Sequence, residues 1–266
     1  MVNEKYHGLG TAPSVIRELF AYGLQQAKVV GKENVFDYSL GNPSIPAPAK
    51  VNETIKKLID TTDSIQLHGY SMAPGFENVR QAIADNLNAR FNCNAKASEL
   101  FMTCGCAPAL VSVAHALTTS PEDEFIAIAP FFPEYNVFFT CAGAKLAVVP
   151  ADTVHFQIDM DALEKTINEH SVAVVINSPN NPSGVVYTEE TLKKIAELLE
   201  RKSKEYGHPI YIVADEPYRE LVYDGVKVTF IPNVYDNTIV CYSWSKSLSL
   251  PGERIGYVYV PEKCAD

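Results

Sequence analysis

A lone lysine stands in a serine-rich stretch near the end of the chain, SWSKSLSLPGERIGY at residues 243–257. Ser243 and Ser245 precede or adjoin Lys246, and Arg254 follows in the same stretch. A lysine amine can bond covalently to an aldehyde, while hydroxyl and guanidinium groups are good donors to a phosphate. These residue types indicate a phosphate-bearing ligand beside a nucleophilic amine. The simpler alternative is a polar loop with two solvated cations.

Other polar or planar side chains follow apolar, strand-like runs elsewhere in the chain. Phe132 follows EFIAIA, Asn181 follows VAVVIN, and Asp215 ends IYIVAD. An acid at the end of a hydrophobic strand is costly unless it meets a cation or a donor, so Asp215 marks either a structural ion pair or a binding site. Phe132 is either core filler or a flat face for a planar ligand.

A turn of small residues, CGCAP at residues 104–108, stands between the run ELFMT and a predicted helix. Small residues at a helix N-terminus let backbone N–H groups approach an anion closely, with help from the helix dipole. Gly105, Cys106 and Ala107 are therefore candidate phosphate ligands through their backbone, and an ordinary tight turn is the alternative. The chain has neither a GxGxxG fingerprint nor a GxxxxGK[ST] loop.

The elements that must position these residues alternate regularly. Apolar, β-rich runs predict seven strands: ELFMT, EFIAIA, KLAVVP, VAVVIN, IYIVAD, TIVCYS and GYVYV. Helical periodicity separates most of them and also covers residues 15–30, 51–60 and 76–91. This pattern predicts a three-layer α/β/α fold around a mostly parallel seven-stranded sheet. Such sheets bind ligands outside the carboxyl ends of their strands, where the candidate residues stand.

A single ligand accounts for these side chains together. A planar heteroaromatic ring with a phosphate and an aldehyde would use the turn, the serines and Arg254 for its phosphate. An acid would serve its ring nitrogen, and a lysine would bond to its aldehyde. Pyridoxal 5′-phosphate has these features, and it requires a Schiff-base lysine and an Asp or Arg at its pyridine nitrogen. The carboxylate keeps that nitrogen protonated, so that the ring can withdraw electrons from a carbanion.

The motifs NNPSG at 180–184, DEPY at 215–218 and SWSKSLSLPGERIGY resemble those of the aspartate aminotransferase family, the class I/II fold-type I pyridoxal phosphate enzymes. The resemblance implies that Lys246 forms the Schiff base and shuttles a proton, and that Asp215 pairs with the pyridine nitrogen. It implies that Tyr218 and Asn181 hydrogen-bond the ring oxygen. The implied phosphate ligands are Gly105, Cys106, Ala107, Ser243, Ser245 and Arg254.

Three further positions acquire roles only through the resemblance. Phe132 matches the aromatic residue that stacks on the cofactor ring and, with Asn181, borders the substrate. Gly41 matches a backbone position near the substrate carboxylate. Tyr70 matches a tyrosine that reaches the phosphate of the neighbouring subunit, which implies a homodimer with shared active sites.

The resemblance also implies how the chain is divided. Residues 1–48 are expected to form an N-terminal arm and a segment of a small domain, and residues 49–266 the large domain that binds pyridoxal phosphate. Relatives continue into most of the small domain and carry there the arginine that binds the substrate α-carboxylate. The chain is therefore expected to lack the C-terminal part of an incomplete small domain.

The implied reaction is the transfer of an amino group from an amino acid, with aspartate favoured, to a 2-oxo acid such as 2-oxoglutarate. Two alternatives stay open on the residues alone. Carbon–sulfur β-lyases share the same motifs, because the orientation of the bonds at the substrate Cα decides the reaction. A truncated chain that binds pyridoxal phosphate without turnover is the other.

Composition limits the partners and the location. The formal net charge of -10 argues against a nucleic-acid or anionic-membrane partner. The six cysteines form no CxxC pair and no zinc set, so no metal is expected and the thiols are expected to be reduced. The N-terminus has no apolar signal region, and no run reaches the ~18 apolar residues that a bilayer requires. These features predict a cytoplasmic protein.

Overall fold

The structure is a computed structural model that describes residues 2–265. The chain divides into two compact units, Met1–Ser44 and Ile45–Asp266. The first unit contains two helices, α1 (Glu4–Thr11) and α2 (Val15–Val30). Gly31 ends α2 with φ 91°, a conformation that favours glycine.

The second unit is built around a seven-stranded sheet. Its strands are β1 (Leu100–Thr103), β2 (Glu124–Ile128), β3 (Lys145–Val149), β4 (Ser171–Asn177), β5 (Tyr211–Asp215), β6 (Thr238–Ser243) and β7 (Gly256–Tyr259). They lie in the order β1-β7-β6-β5-β4-β2-β3. Neighbouring strands are parallel except where β7 pairs with β1 and β6. The prediction of a mostly parallel seven-stranded sheet is confirmed.

Eight helices of the described chain belong to the second unit. They are α3 (Ala49–Thr61), α4 (Ser64–His68), α5 (Glu77–Phe91), α6 (Cys106–Leu117), α7 (Glu134–Cys141), α8 (Met160–Thr166), α9 (Glu189–Tyr206) and α10 (Trp244–Ser247). None of the helices between residues 2 and 265 is both long and apolar enough to cross a bilayer.

Side chains alternate across the central strands, so the sheet has two covered faces. On β4, Val174 and Ile176 lie in one hydrophobic core with residues of α5, α8 and α9. Ala173 and Val175 point to the opposite face and share a second core with α6 and α7. Because both faces are buried, the strands read as nearly continuous apolar runs. The predicted three-layer α/β/α architecture is confirmed.

Three short or weak helices were not predicted. α1 contains Gly8 and Gly10, and glycine lowers helix propensity by about 1 kcal/mol relative to alanine. α4 has five residues and α10 has four, which is too short for an amphipathic period to be visible in the sequence. The last of these is the helix that carries Lys246.

Candidate active site

The carboxyl ends of three neighbouring strands bring candidate residues to one edge of the sheet. β4 ends at Asn177 and β5 at Asp215, and these two residues are partners in the strand register. Asp215 is also the register partner of Cys241 on β6, which continues to Ser243. Asn177 Nδ2 donates to the Asp215 carbonyl oxygen at 2.8 Å, which ties the two strand ends together.

Asp215 is a buried acid, 5% exposed, that accepts hydrogen bonds from two neutral donors. Cys106 Sγ donates to Oδ1 at 3.0 Å, and the Tyr135 hydroxyl donates to Oδ2. Burial raises the pKa of Asp215, and the bonds from Cys106 and Tyr135 only partly oppose that rise. No ion pair among residues 2–265 includes this carboxylate. A cation placed beside it would therefore stabilise its charged form.

The adjacent acid on the same strand end, Glu216, is neutralised from within the chain. Arg219 Nε donates to Glu216 Oε2, and the two side chains are 3% and 2% exposed. The guanidinium lies 4.6 Å from the centroid of the Tyr242 ring. Glu216 thus has its own cation, whereas Asp215 beside it has none among the described ion pairs. This difference marks Asp215 as the acid that a ligand could neutralise.

The turn between β1 and α6 lies against the guanidinium of Arg254. Gly105 has φ +107°, and a Cβ at that position would lie 2.8 Å from Arg254 Nη2. Arg254 Nη1 donates to the Pro251 carbonyl at 3.0 Å, which orients the guanidinium. Gly256 allows β7 to pass close by, since a Cβ there would lie 2.8 Å from the Gly105 carbonyl carbon. A guanidinium and the N-terminus of α6 thus meet at one point, an arrangement suited to an anion.

Replacing Gly105 with alanine is expected to destabilise the chain by about 1–3 kcal/mol, because positive φ strains an L-residue. It should also weaken phosphate binding, since the new Cβ would displace the Arg254 guanidinium. Urea unfolding measures the first effect and calorimetric titration with inorganic phosphate the second. Gly207→Ala is the matched control, because Gly207 has φ +78° but no neighbouring atom within 4 Å of an added Cβ. An equal loss of phosphate affinity in both variants would contradict this role of Arg254.

Asn181 and Tyr218 meet above the ends of β4 and β5. Asn181 Nδ2 donates to the Tyr218 hydroxyl oxygen at 3.3 Å. The Asn181 backbone N–H donates to Asn177 Oδ1 at 2.6 Å, so the buried Asn177 side chain holds both this turn and the Asp215 backbone. Burial, with a smaller contribution from Asp215, raises the pKa of Tyr218 to about 12, and its hydroxyl therefore stays protonated at neutral pH.

Lys246 lies on α10, the short helix that begins directly after β6. The side chain is half-buried, and burial lowers its pKa. A lowered pKa favours the neutral amine, which is the form that can act as a nucleophile or base. Three residues before Lys246, Ser243 is buried at the end of β6, and its Oγ donates to Ser245 Oγ at 3.1 Å.

A cavity opens between these elements and is bordered by six of the predicted residues. Its lining consists of Cys106, Ala107, Leu110, Phe132, Asn181, Asp215, Pro217 and Tyr218. The ring of Phe132 packs edge-on against Tyr135, with ring centroids 5.9 Å apart. The cavity therefore has an aromatic wall, an acid, an amide and a phenol around one space.

The other seven predicted residues do not line this cavity. Five of them belong to the α6 turn and to the segment that begins at the end of β6: Gly105, Ser243, Ser245, Lys246 and Arg254. The remaining two are Tyr70 and Gly41. Tyr70 has a fully exposed side chain in the segment between α4 and α5. Its predicted contact is with a neighbouring subunit, so its role stays a prediction. Gly41 belongs to the first unit, and its predicted position near the substrate carboxylate also stays a prediction.

The sequence interpretation missed Tyr135 and considered only the backbone of Cys106. Tyr135 lies in the first turn of α7, three residues after Phe132. A hydroxyl-bearing aromatic residue at the start of a helix that follows a strand is a usable signal, because such a helix begins at the ligand-binding edge of the sheet. The thiol of Cys106 could not be assigned from sequence, since its partner lies 109 residues away.

The donors and charges at this edge of the sheet fit pyridoxal phosphate. A buried acid with no cation among residues 2–265 suits a protonated ring nitrogen, and the α6 N-terminus with Arg254 suits a phosphate. Lys246, with its lowered pKa, suits an aldehyde. The fit rests mainly on Asp215, because its carboxylate is buried against two neutral donors and belongs to no ion pair of the described residues.

The chain is similar to known aminotransferases in sequence and in structure. The sequence profile of the aminotransferase class I and II family matches residues 33–266. A probable N-acetyl-LL-diaminopimelate aminotransferase of Bacillus subtilis is 32% identical over 94% of this chain. An aspartate aminotransferase of Sulfurisphaera tokodaii is 28% identical over 86% of it.

Two solved structures extend the comparison. An amino transferase from Eubacterium rectale is 60% identical, with a TM-score of 0.97 over 100% of this chain. The aspartate aminotransferase of Thermus thermophilus with maleate is 25% identical, with a TM-score of 0.83 over 98%. The chain spans 61% and 56% of the lengths of the two curated relatives, and 67% and 65% of the two solved chains.

Proposed function

The chain belongs to the class I and II aminotransferase family, whose members use pyridoxal 5′-phosphate, and on this premise we propose that its function is amino transfer. The amino group would pass from an amino acid to a 2-oxo acid. The observation that carries the proposal is the contrast between Asp215 and Glu216. Both acids are buried, yet only Glu216 has a cation of its own among the described ion pairs.

The proposal gives each part of the cofactor a partner in the chain. Asp215 would hold the ring nitrogen, Asn181 and Tyr218 the ring oxygen, and Lys246 the aldehyde. Phe132 would cover one face of the ring. The phosphate would be bound by the backbone N–H groups of Gly105, Cys106 and Ala107 and by the side chains of Ser243, Ser245 and Arg254.

The side chains also have chemical tasks. When bound, the cofactor supplies an electron-withdrawing ring that stabilises negative charge at the substrate Cα. Lys246 Nζ would accept the proton from that Cα atom, and burial, which lowers its pKa, favours the neutral form that this step needs. The Tyr218 hydroxyl remains a donor throughout, because its pKa is raised to about 12. Asp215 holds its negative charge next to the ring nitrogen, which keeps that nitrogen protonated.

We propose aspartate and 2-oxoglutarate as the substrate pair. The relative from Sulfurisphaera tokodaii is named for aspartate, and the Thermus thermophilus structure contains maleate, a dicarboxylate of the same length as aspartate. The Bacillus subtilis relative is named for a different donor, so membership of the family does not by itself select the substrate.

The test is a pair of half-reactions on the purified chain loaded with pyridoxal phosphate. Aspartate should remove the visible absorbance band of the bound cofactor and release a 2-oxo acid. Addition of 2-oxoglutarate should then restore that band. Alanine, tyrosine and N-acetyl-diaminopimelate serve as competing donors. Release of pyruvate from cysteine without any acceptor would favour a lyase instead. Cofactor binding without turnover of any donor would overturn the proposal for this chain.

We further propose a homodimer with shared active sites, in which Tyr70 reaches the partner. The Tyr70 side chain is fully exposed, so it is accessible to a second copy of the chain. Mixing Lys246→Ala and Tyr70→Ala chains after mild dissociation should then restore activity, because a hybrid dimer contains one intact site. Sedimentation velocity reports the dimer itself. A mixture no more active than its separate components, or a monomer in sedimentation, would contradict shared sites.

A further inference from the structure

The carboxylate of Asp215 is held at both of its oxygens. Cys106, the first residue of α6, donates to Oδ1 at 3.0 Å, and Tyr135, in the first turn of α7, donates to Oδ2. A carboxylate offers about four acceptor positions, so each oxygen keeps one free. Rotation about the Cβ–Cγ bond would break both hydrogen bonds. The plane of the carboxylate is therefore fixed by two helices that pack on the same face of the sheet.

Cys106 differs from an ordinary buried cysteine in having this acid as its partner. The residue is 9% exposed, and burial together with Asp215 raises the pKa of its thiol well above the usual value. The thiol therefore stays protonated and remains a donor across the neutral range. The backbone of the same residue belongs to the turn beneath Arg254, directly after Gly105. One residue thus joins the anion-binding turn to the buried acid.

We propose that Cys106 is a positioning residue for Asp215. Its thiol fixes the direction in which the carboxylate presents its free acceptor positions to the cavity. It also sets the spacing between the acid and the α6 N-terminus. The inference rests on the proposed function only for the identity of the ligand, whose protonated ring nitrogen would bind the carboxylate while its phosphate binds at the α6 N-terminus. The contact between thiol and carboxylate is a property of the chain itself.

Several titratable groups surround Asp215, and a test must distinguish the effect of Cys106 on its pKa from theirs. They are Cys106 from α6, Tyr135 from α7, Cys241 from β6, and Glu216 and Tyr218 from the segment after β5. Cys241 provides the matched control. It is buried even more completely than Cys106, it is the register partner of Asp215, and Asp215 raises its pKa through charge alone, without a hydrogen bond.

The experiment is a pH titration of the Asp215 carboxyl carbon by NMR in the unloaded chain labelled at aspartate. The signal is assigned by its absence in Asp215→Asn. Cys106→Ala should raise the midpoint, because a donor to the charged form is lost. Cys106→Ser should lower it, because a hydroxyl is a stronger donor than a thiol. Cys241→Ala, which removes an equal volume, should shift it less than Cys106→Ala does.

A second measurement uses pyridoxal phosphate as the probe. Cys106→Ala should weaken its affinity by about two- to tenfold, the usual range for one lost hydrogen bond, and Cys106→Ser should restore it. Equal midpoints in Cys106→Ala and Cys241→Ala, or a rise in Cys106→Ser, would overturn the inference. If the native chain bound no pyridoxal phosphate, the proposed function would fail, while the NMR midpoints would still decide the role of the thiol.

Discussion

A Lys246→Ala chain is expected to bind pyridoxal phosphate only reversibly and to lose amino transfer by at least about 10²–10⁴-fold, the usual contribution of a positioned acid–base group. Two functions should be lost together, because in the proposed site the same amine bonds to the aldehyde and accepts the Cα proton. Half-burial on α10 lowers the pKa of Lys246, which suits it to both functions. Borohydride reduction followed by intact mass measurement shows the covalent attachment, and the half-reaction with aspartate shows the transfer.

Lys193→Ala is the control for this measurement. Lys193 lies on the solvent face of α9, where it pairs with Glu189 at 2.6 Å and is 59% exposed. That variant should retain one reducible attachment per chain and unchanged transfer. If the Lys246→Ala chain still carried one reduced cofactor per chain, the assignment of the amine would be wrong, and peptide mapping would show which other lysine holds it.

Replacing Asp215 with asparagine is expected to have opposite effects on activity and on stability. Amino transfer should fall by about 10²–10³-fold, because a neutral amide cannot keep the ring nitrogen protonated, and the loss of one preorganised charge contact has this size. The unloaded chain should become more stable at neutral pH, because the substitution removes a buried charge that has no cation among the described ion pairs. The amide can keep its neighbours as partners, since the Tyr135 hydroxyl can accept as well as donate.

The pH dependence of this stabilisation follows from the direction of the shift. The folded-state pKa of Asp215 lies above the reference value of 3.8. The native chain therefore has its full stability below that value and loses part of it as pH rises through the folded-state pKa. Native and Asp215→Asn chains should have similar free energies of unfolding in acid. The difference between them should grow as pH rises, with the variant the more stable. Urea unfolding of the unloaded chains between pH 3.5 and pH 8 is a direct check, with pH values chosen to span the ~3.9 reference for aspartate.

Asp236→Asn is the control for this series. Asp236 is 67% exposed and pairs with Lys263 at the surface, so its removal should change stability by a few tenths of a kcal/mol at most. If Asp215→Asn were less stable than the native chain at neutral pH, the buried carboxylate would be stabilised by something other than a ligand. That result would contradict the proposal that Asp215 binds a cationic group of a ligand.

Much of the fold could be predicted because the signals for it are local. All seven strands were predicted as apolar runs, because a strand buried on both faces has a nearly continuous apolar sequence without alternating polar residues. α2 was predicted over residues 15–30, and the structure begins and ends it at Val15 and Val30. The weak helices escaped for equally local reasons, since two glycines lie within α1 and α10 has only four residues.

The candidate site was predictable to a different degree. Asp215, Asn181 and Lys246 could be singled out because each follows a strand, and the carboxyl ends of parallel strands share one edge. Tyr135 and the thiol of Cys106 could not, because each acts through a hydrogen bond to a residue distant in sequence. The need for glycine at position 105 could not be predicted either, since it depends on the guanidinium of Arg254 lying in the place of its Cβ.

The sequence by itself determined the layered architecture, the family, and the set of polar residues at the strand ends, because hydrophobic period and residue type are properties of short segments. Only the tertiary structure decided which buried acid is neutralised within the chain and which is not. Glu216 and Asp215 are neighbours in sequence, but Arg219 pairs with Glu216, whereas the Asp215 carboxylate accepts from a thiol and a phenol and has no ion pair among residues 2–265. That distinction depends on distances between side chains of different elements, which no short segment of the sequence contains.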